Sequence, residues 1–70
     1  MRMKIYAISE QFVRTRIVKG LTQRDLARLT GVSNGYVSMV EREIKSVGPG
    51  VAKKMSGILD KQIDELFRFE

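Results

Sequence analysis

At 70 residues, 43% hydrophobic and 30% charged with one Pro, the chain is expected to fold as a single domain over residues 1–70 with a thin core. It contains neither Cys nor His, which excludes disulfide staples, thiol chemistry and His-based metal or acid–base sites, so no cofactor, metal or catalytic arrangement is expected. Thirteen Lys and Arg against eight Asp and Glu leave a net charge of +5, and 11 of the basic groups but only 4 of the acidic ones fall in residues 1–54, a balance that points to a polyanionic partner.

Residues 1–7 form an N-terminal extension that alternates as a strand does at Met3, Ile5 and Ala7, or simply leads into the first helix. That helix is expected over about Ser9–Lys19, capped by Ser9, with Glu10 near its positive end and Gly20 closing it. Ile8, Phe12, Thr15 and Arg16 share one face, and Val13 and Ile17 form a second apolar pair. Thr22 then caps a helix over Gln23–Leu29, with Asp25 where Glu or Gln completes a capping box. Leu26 and Ala27 turn inward there with Leu29 or Thr30, while Arg24, Asp25 and Arg28 face out.

Gly31-Val32-Ser33 is a turn of the length that sets two helices at roughly 90–120°. Ser33 caps a third helix from Asn34 to about Arg42, which buries Val37 and Val40 and leaves Tyr36 and Glu41 at its margins. Asn34, Gly35, Ser38, Met39 and Arg42 face outward. Gly48 and Pro49 open a fourth helix to about Leu59, and a last short helix spans about Gln62–Phe67, with Ile63, Leu66 and Phe67 able to pack back. Gly48-Pro49-Gly50 with Lys53 and Lys54 lacks the spacing of a phosphate loop and reads as a helix start.

The informative stretch is Gln23–Arg42, QRDLARLTGVSNGYVSMVER. With Gly20-Leu21-Thr22-Gln23, Leu26-Ala27, Gly31-Val32-Ser33, Tyr36-Val37-Ser38, Val40-Glu41-Arg42 and Ile63-Asp64-Glu65-Leu66-Phe67 in this order, the chain resembles the helix-turn-helix transcription regulators of the phage repressor and Cro type. The resemblance runs from about Ile8 to Phe67. It implies an all-α, compact five-helix bundle whose second and third helices form the helix-turn-helix over residues 23–42. It also implies binding to double-stranded operator DNA, usually as a homodimer. Glu43 stands where the family usually has Gly, so the third helix is expected to end differently or to run on.

In this docking mode the first residues of the recognition helix meet base edges in the major groove, which makes Asn34, Gly35, Ser38 and Met39 the candidate base readers. Gln23, at a helix N-terminus that favours an anion, is the lead candidate for a phosphate, joined by Thr22, Ser33, Tyr36, Arg42 and Lys45. The resemblance further implies that Arg16 and Glu41 form a partly buried salt bridge between the first and third helices.

The function expected is therefore that of a non-enzymatic, cytoplasmic transcriptional regulator, most simply a small prokaryotic or phage repressor on a pseudo-palindromic operator. No apolar run approaches the roughly 20 residues that span a membrane, and a chain of this length leaves no room for a ligand-sensing domain, so no small-molecule ligand is expected. The rival is a protein-interaction module, such as an antitoxin or an antagonist of another regulator, on the same fold. Met1, Met3, Ile5, Val13 and Ile17 exceed what a monomer surface needs and feed that rival or a subunit interface. Phe67 is expected in the core and Phe69 at an interface.

Overall fold

The computed structural model describes residues 3–70; Met1, counted above in the apolar surplus, lies outside them. In chain order the elements are β1 (Ile5–Ala7), α1 (Ser9–Val18), α2 (Gln23–Thr30), α3 (Asn34–Glu41), α4 (Pro49–Leu59), α5 (Ile63–Leu66) and β2 (Phe67–Phe69). Five helices therefore dominate, with a small two-stranded sheet beside them.

The α2–turn–α3 unit is set by local chemistry. The Thr22 hydroxyl accepts the Asp25 N–H at 3.0 Å and the Asp25 carboxylate accepts the Thr22 N–H at 2.9 Å, so Asp closes the capping box. A cap of this kind stabilises a helix by about 1 kcal/mol. At the other end Gly31 takes φ +84°, a left-handed conformation that only Gly adopts without strain, and its N–H donates to the Ala27 carbonyl at 2.8 Å. Ser33 then starts α3, its Oγ accepting the Tyr36 N–H at 3.0 Å.

Leu26, Val37 and Val40 are buried between these helices and join Phe12 of α1, Ala52, Met55 and Leu59 of α4, and Leu66 and Phe67 in one core. Phe12 and Phe67 meet edge to face, with ring centroids 5.7 Å apart. Thr30, not Leu29, takes the inward position at the end of α2; Leu29 is exposed.

The ends of the chain differ from the sequence expectation. Phe67 leaves the last helix and begins a strand that pairs antiparallel with β1, in the register Ile5–Phe69, Tyr6–Arg68 and Ala7–Phe67. Residues 5–7 are thus a strand, not a simple lead into α1. The residue that precedes α1 is Ile8, not Ser9, and it supplies no side-chain cap. The Ser9 hydroxyl instead donates to the Glu41 carbonyl at 2.6 Å, a tertiary bond replacing the local one. Helix α3 stops at Glu41, and Glu43 follows in the left-handed region at φ +61°. The position usually held by Gly thus keeps the conformation of Gly without its freedom from strain.

Candidate nucleic-acid interface

The rigid part of the site lies behind α3. Glu41 is buried, yet its carboxylate is fully engaged: Arg16 Nε donates to Oε2 at 2.5 Å and Arg16 Nη2 to Oε1 at 3.2 Å. The remaining Arg16 nitrogen, Nη1, donates to the Leu21 carbonyl at 2.8 Å. Gln23 completes the cluster, its Nε2 donating to Glu41 Oε1 at 2.8 Å. One carboxylate therefore ties together α1, the start of α2 and the end of α3. A buried acid held this way places no unpaired negative charge beneath the outer face.

A second cluster lies just past α3. Glu43 accepts the Ser9 N–H at 3.1 Å and a hydrogen bond from Arg68 Nη1, whose Nε donates to Glu70 at 2.6 Å. Arg68 also reaches the Ala7 carbonyl at 3.2 Å and lies 5.3 Å from the centre of the Tyr6 ring. The bond from Arg68, and then that from the Ser9 amide, holds the Glu43 carboxyl below its ordinary value of 4.5. The hydrogen bonds that Arg68 donates to Glu70 and Glu43 raise Arg68 in turn.

The outer side of α3 is different. Asn34 and Gly35 are exposed, Ser38 and Met39 half-buried, and none of their side chains makes a hydrogen bond within the described residues. A Cβ added at Gly35 would meet nothing within 4 Å, so packing gives no reason for Gly there. Arg42 and Lys45 are exposed at the far end of the helix and in the loop beyond. Lys45 Nζ stands 5.7 Å over the Tyr36 ring, and burial raises the Tyr36 hydroxyl above its ordinary value of 10.0.

The two helix starts are not equivalent. At α3, the Ser33 oxygen accepts from Tyr36 and its O–H remains able to donate outward. At α2, the Asp25 carboxylate sits on the Thr22 N–H, and these bonds hold it below its ordinary value of 3.8. An anion there opposes a phosphate beside Thr22, although Arg28 lies 3.4 Å from the other Asp25 oxygen. The structure thus puts Thr22 and Gln23 at the start of α2, with Gln23 bonded to the end of α3, and Ser33, Asn34 and Gly35 at the start of α3, with Ser38, Met39, Arg42 and Lys45 following along α3 and its loop.

The sequence missed three members of the supporting structure. The Gln23–Glu41 bond joins residues 18 positions apart and has no local signature. Ser9 gave a capping signal that the fold uses otherwise. Glu43 did give a signal, as the odd residue at a Gly position, but its partner Arg68 is fixed only by strand pairing.

A family model described as helix-turn-helix matches residues 14–66. No curated protein sequence matches the chain. Among solved structures, the restriction-modification controller protein C.AhdI from Aeromonas hydrophila is 33% identical, with a TM-score of 0.74 over 81% of this chain and 86% of that one. A hypothetical transcription factor, NHTF from Neisseria, is 30% identical with a TM-score of 0.75, over 81% of this chain and 64% of that chain. The clp gene regulator ClgR from Corynebacterium glutamicum gives 30%, 0.75, 81% and 61% for the same quantities. This chain accordingly spans less than two thirds of the last two. The chain belongs to the XRE-type helix-turn-helix family of DNA-binding transcription regulators.

Proposed function

We propose that the chain is a sequence-specific transcriptional regulator, most simply a repressor, that binds a two-fold operator as a homodimer through α3. The observation that carries this reading is the division of labour within α3. Val37, Val40 and Glu41 are committed to the interior, while Asn34 and Gly35 are exposed and the half-buried Ser38 and Met39 lie outside the core without a side-chain hydrogen bond among the described residues. Asn pairs bidentately with adenine, and Met covers a thymine methyl. Arg42 and Lys45 provide charge for the flanking backbone, with Ser33 donating from the start of α3 and Gln23 through the Nε2–H that Glu41 does not take. Residues 1–70 act as one domain in this reading, and no catalytic step is assigned to it. The likeness to C.AhdI, a controller protein of which this chain covers 86%, supports a regulator of about this size.

Selection of bound sites from a random duplex pool at moderate salt tests the reading. Two half-sites about 10 bp apart are the expected result. Asn34→Ala and Met39→Ala should each lower affinity for the selected site by about 1–3 kcal/mol with the melting temperature unchanged. A pool without enrichment would favour the second reading, a protein-interaction module. One observation supports that alternative: α1 presents Val13, Ile17 and Val18 outward, with Ile17 61% and Val18 78% exposed.

A further inference from the structure

Both strands lie outside the residues 14–66 that match the family model, as do the first residues of α1. The two edges of the sheet are unlike. On the β1 side the Ile5 carbonyl accepts the Val47 N–H at 2.9 Å. On the β2 side no third strand lies among the described residues. Lys4 and Glu70 exchange both backbone bonds, at 2.6 and 2.8 Å, and the Ile8 N–H donates to the Leu66 carbonyl at 2.8 Å. Bonded and non-bonded pairs alternate along an antiparallel ladder, so Ile5–Phe69 is a non-bonded pair. The Phe69 N–H and C=O therefore point away from β1, to the open edge. The Phe67 N–H is already given to the Ile63 carbonyl. The Phe69 ring lies on the same face as buried Phe67 but is 43% exposed. An open edge next to an exposed aromatic ring is a template for another strand.

We propose that this strand is a second β2: two copies pair antiparallel about a two-fold axis at Phe69 and form one four-stranded sheet. The inference rests on the homodimer reading above and says which surface makes the dimer. The charges select the register. Phe69 opposite Phe69 of the partner subunit sets Arg68 against Glu70 of the partner subunit, and the reverse pairing follows by symmetry. The next register that keeps the open-edge groups paired sets Arg68 against Arg68 of the partner subunit, and like charges directly opposite are unfavourable. In the selected register the two Phe69 residues exchange both backbone bonds and their rings become cross-strand neighbours. The strand leaves the core at this end, since Ala7 and Phe67 are buried and Phe69 is not, so the two helical bodies fall on opposite sides of the axis. Arg68 is bonded to Glu43, two residues past α3, so the sheet links the axis to the recognition helix. A contact this short makes a weak dimer in solution, which a two-fold site tightens.

The absence of Cys allows a direct test, because one introduced thiol reports one position. A bonded antiparallel pair holds its Cα atoms about 5.5 Å apart, within disulfide reach. Phe69→Cys is expected to cross-link into a covalent dimer under mild oxidation, and Ile17→Cys, on the exposed face of α1, is expected to stay monomeric. Sedimentation equilibrium gives the second readout. Phe69→Pro removes the open-edge N–H and the ring but no bond to β1, so it should raise the dimer Kd about tenfold or more while the fold still melts cooperatively. A wild-type dimer that cross-links through Ile17→Cys and not Phe69→Cys, or one that Phe69→Pro leaves as tight, overturns the strand interface and spares the dimer reading. A wild-type chain that stays monomeric both in concentrated solution and on a selected two-fold duplex, with no cross-link at Phe69→Cys, overturns both.

Discussion

Arg16 and Glu41 close on each other across α1 and α3 through two bonds, 2.5 and 3.2 Å long, with side chains only 11% and 5% exposed. Taking one partner away leaves the other as a buried charge. Glu41→Ala is therefore expected to lower unfolding stability by about 3–5 kcal/mol, a large share of what a domain of this size has. The double change Arg16→Met with Glu41→Leu should lose less than Glu41→Ala alone, because neither charge remains. Urea unfolding of the two variants checks the order. A double variant less stable than Glu41→Ala would mean that the pair contributes more than its desolvation.

Gly35 separates binding from stability. Nothing crowds a Cβ at that position, and Ala is the better helix former by up to about 1 kcal/mol. Gly35→Ala should thus raise the melting temperature slightly. If α3 approaches DNA as proposed, the added methyl group obstructs the backbone and affinity for the selected site falls. A variant that is both more stable and equally tight would remove Gly35 from the interface.

Glu43 combines backbone strain with two useful bonds. Glu43→Ala keeps φ positive and loses both bonds, while Glu43→Gly loses the bonds but relieves the strain. The Gly variant is expected to melt about 4–8 °C above the Ala variant, a difference that thermal scans resolve easily. The carboxyl also sets a pH dependence. Its value in the folded chain lies below the ordinary 4.5, so the stability it lends is complete above that range and is lost as pH falls through the lower folded value. Glu43→Gln should flatten the acid limb of a stability–pH curve and leave the curve near pH 7 parallel to that of the wild type.

Among the described residues Arg42 takes part in no ion pair, and it stands exposed one residue beyond α3. If it neutralises a phosphate, Arg42→Ala weakens binding to all duplexes alike and lowers the slope of log affinity against log salt by about one. Asn34→Ala should leave that slope unchanged and alter sequence preference instead. Titrations at three salt concentrations distinguish the two effects.

The parts of the fold that were legible in the sequence are those encoded locally. Thr22 with Asp25, Gly31 and Ser33 each act on backbone groups within four positions, and they place α2, the turn and α3 within about a residue. The core positions Leu26, Val37 and Val40 follow from the same periodicity. The strand Phe67–Phe69 was not legible, because Phe67 reads as the end of the last helix and three residues carry no strand signal until β1 offers its edge. Ser9 and Gln23 were read by their local preferences, a cap and an anion contact, and both have partners on Glu41 that no short-range rule supplies. The outward residues of α3 were legible as a face, since their helical spacing opposes that of Val37 and Val40.

The sheet that joins the two ends of the chain also bears on how the protein is assembled in time. The bond from Arg68 to the Ala7 carbonyl spans 61 positions, whereas the caps of α2 and α3 span three. Closing so long a loop is entropically costly until the segment between is already compact, so the helical body is expected to condense first and the terminal strands to zip last. The same order read backwards makes the strands the first part to open under native conditions. Amide hydrogen exchange should then show Tyr6 and Arg68 exchanging well before Val37 and Val40, which makes the sheet a clasp that can release without unfolding the reading head.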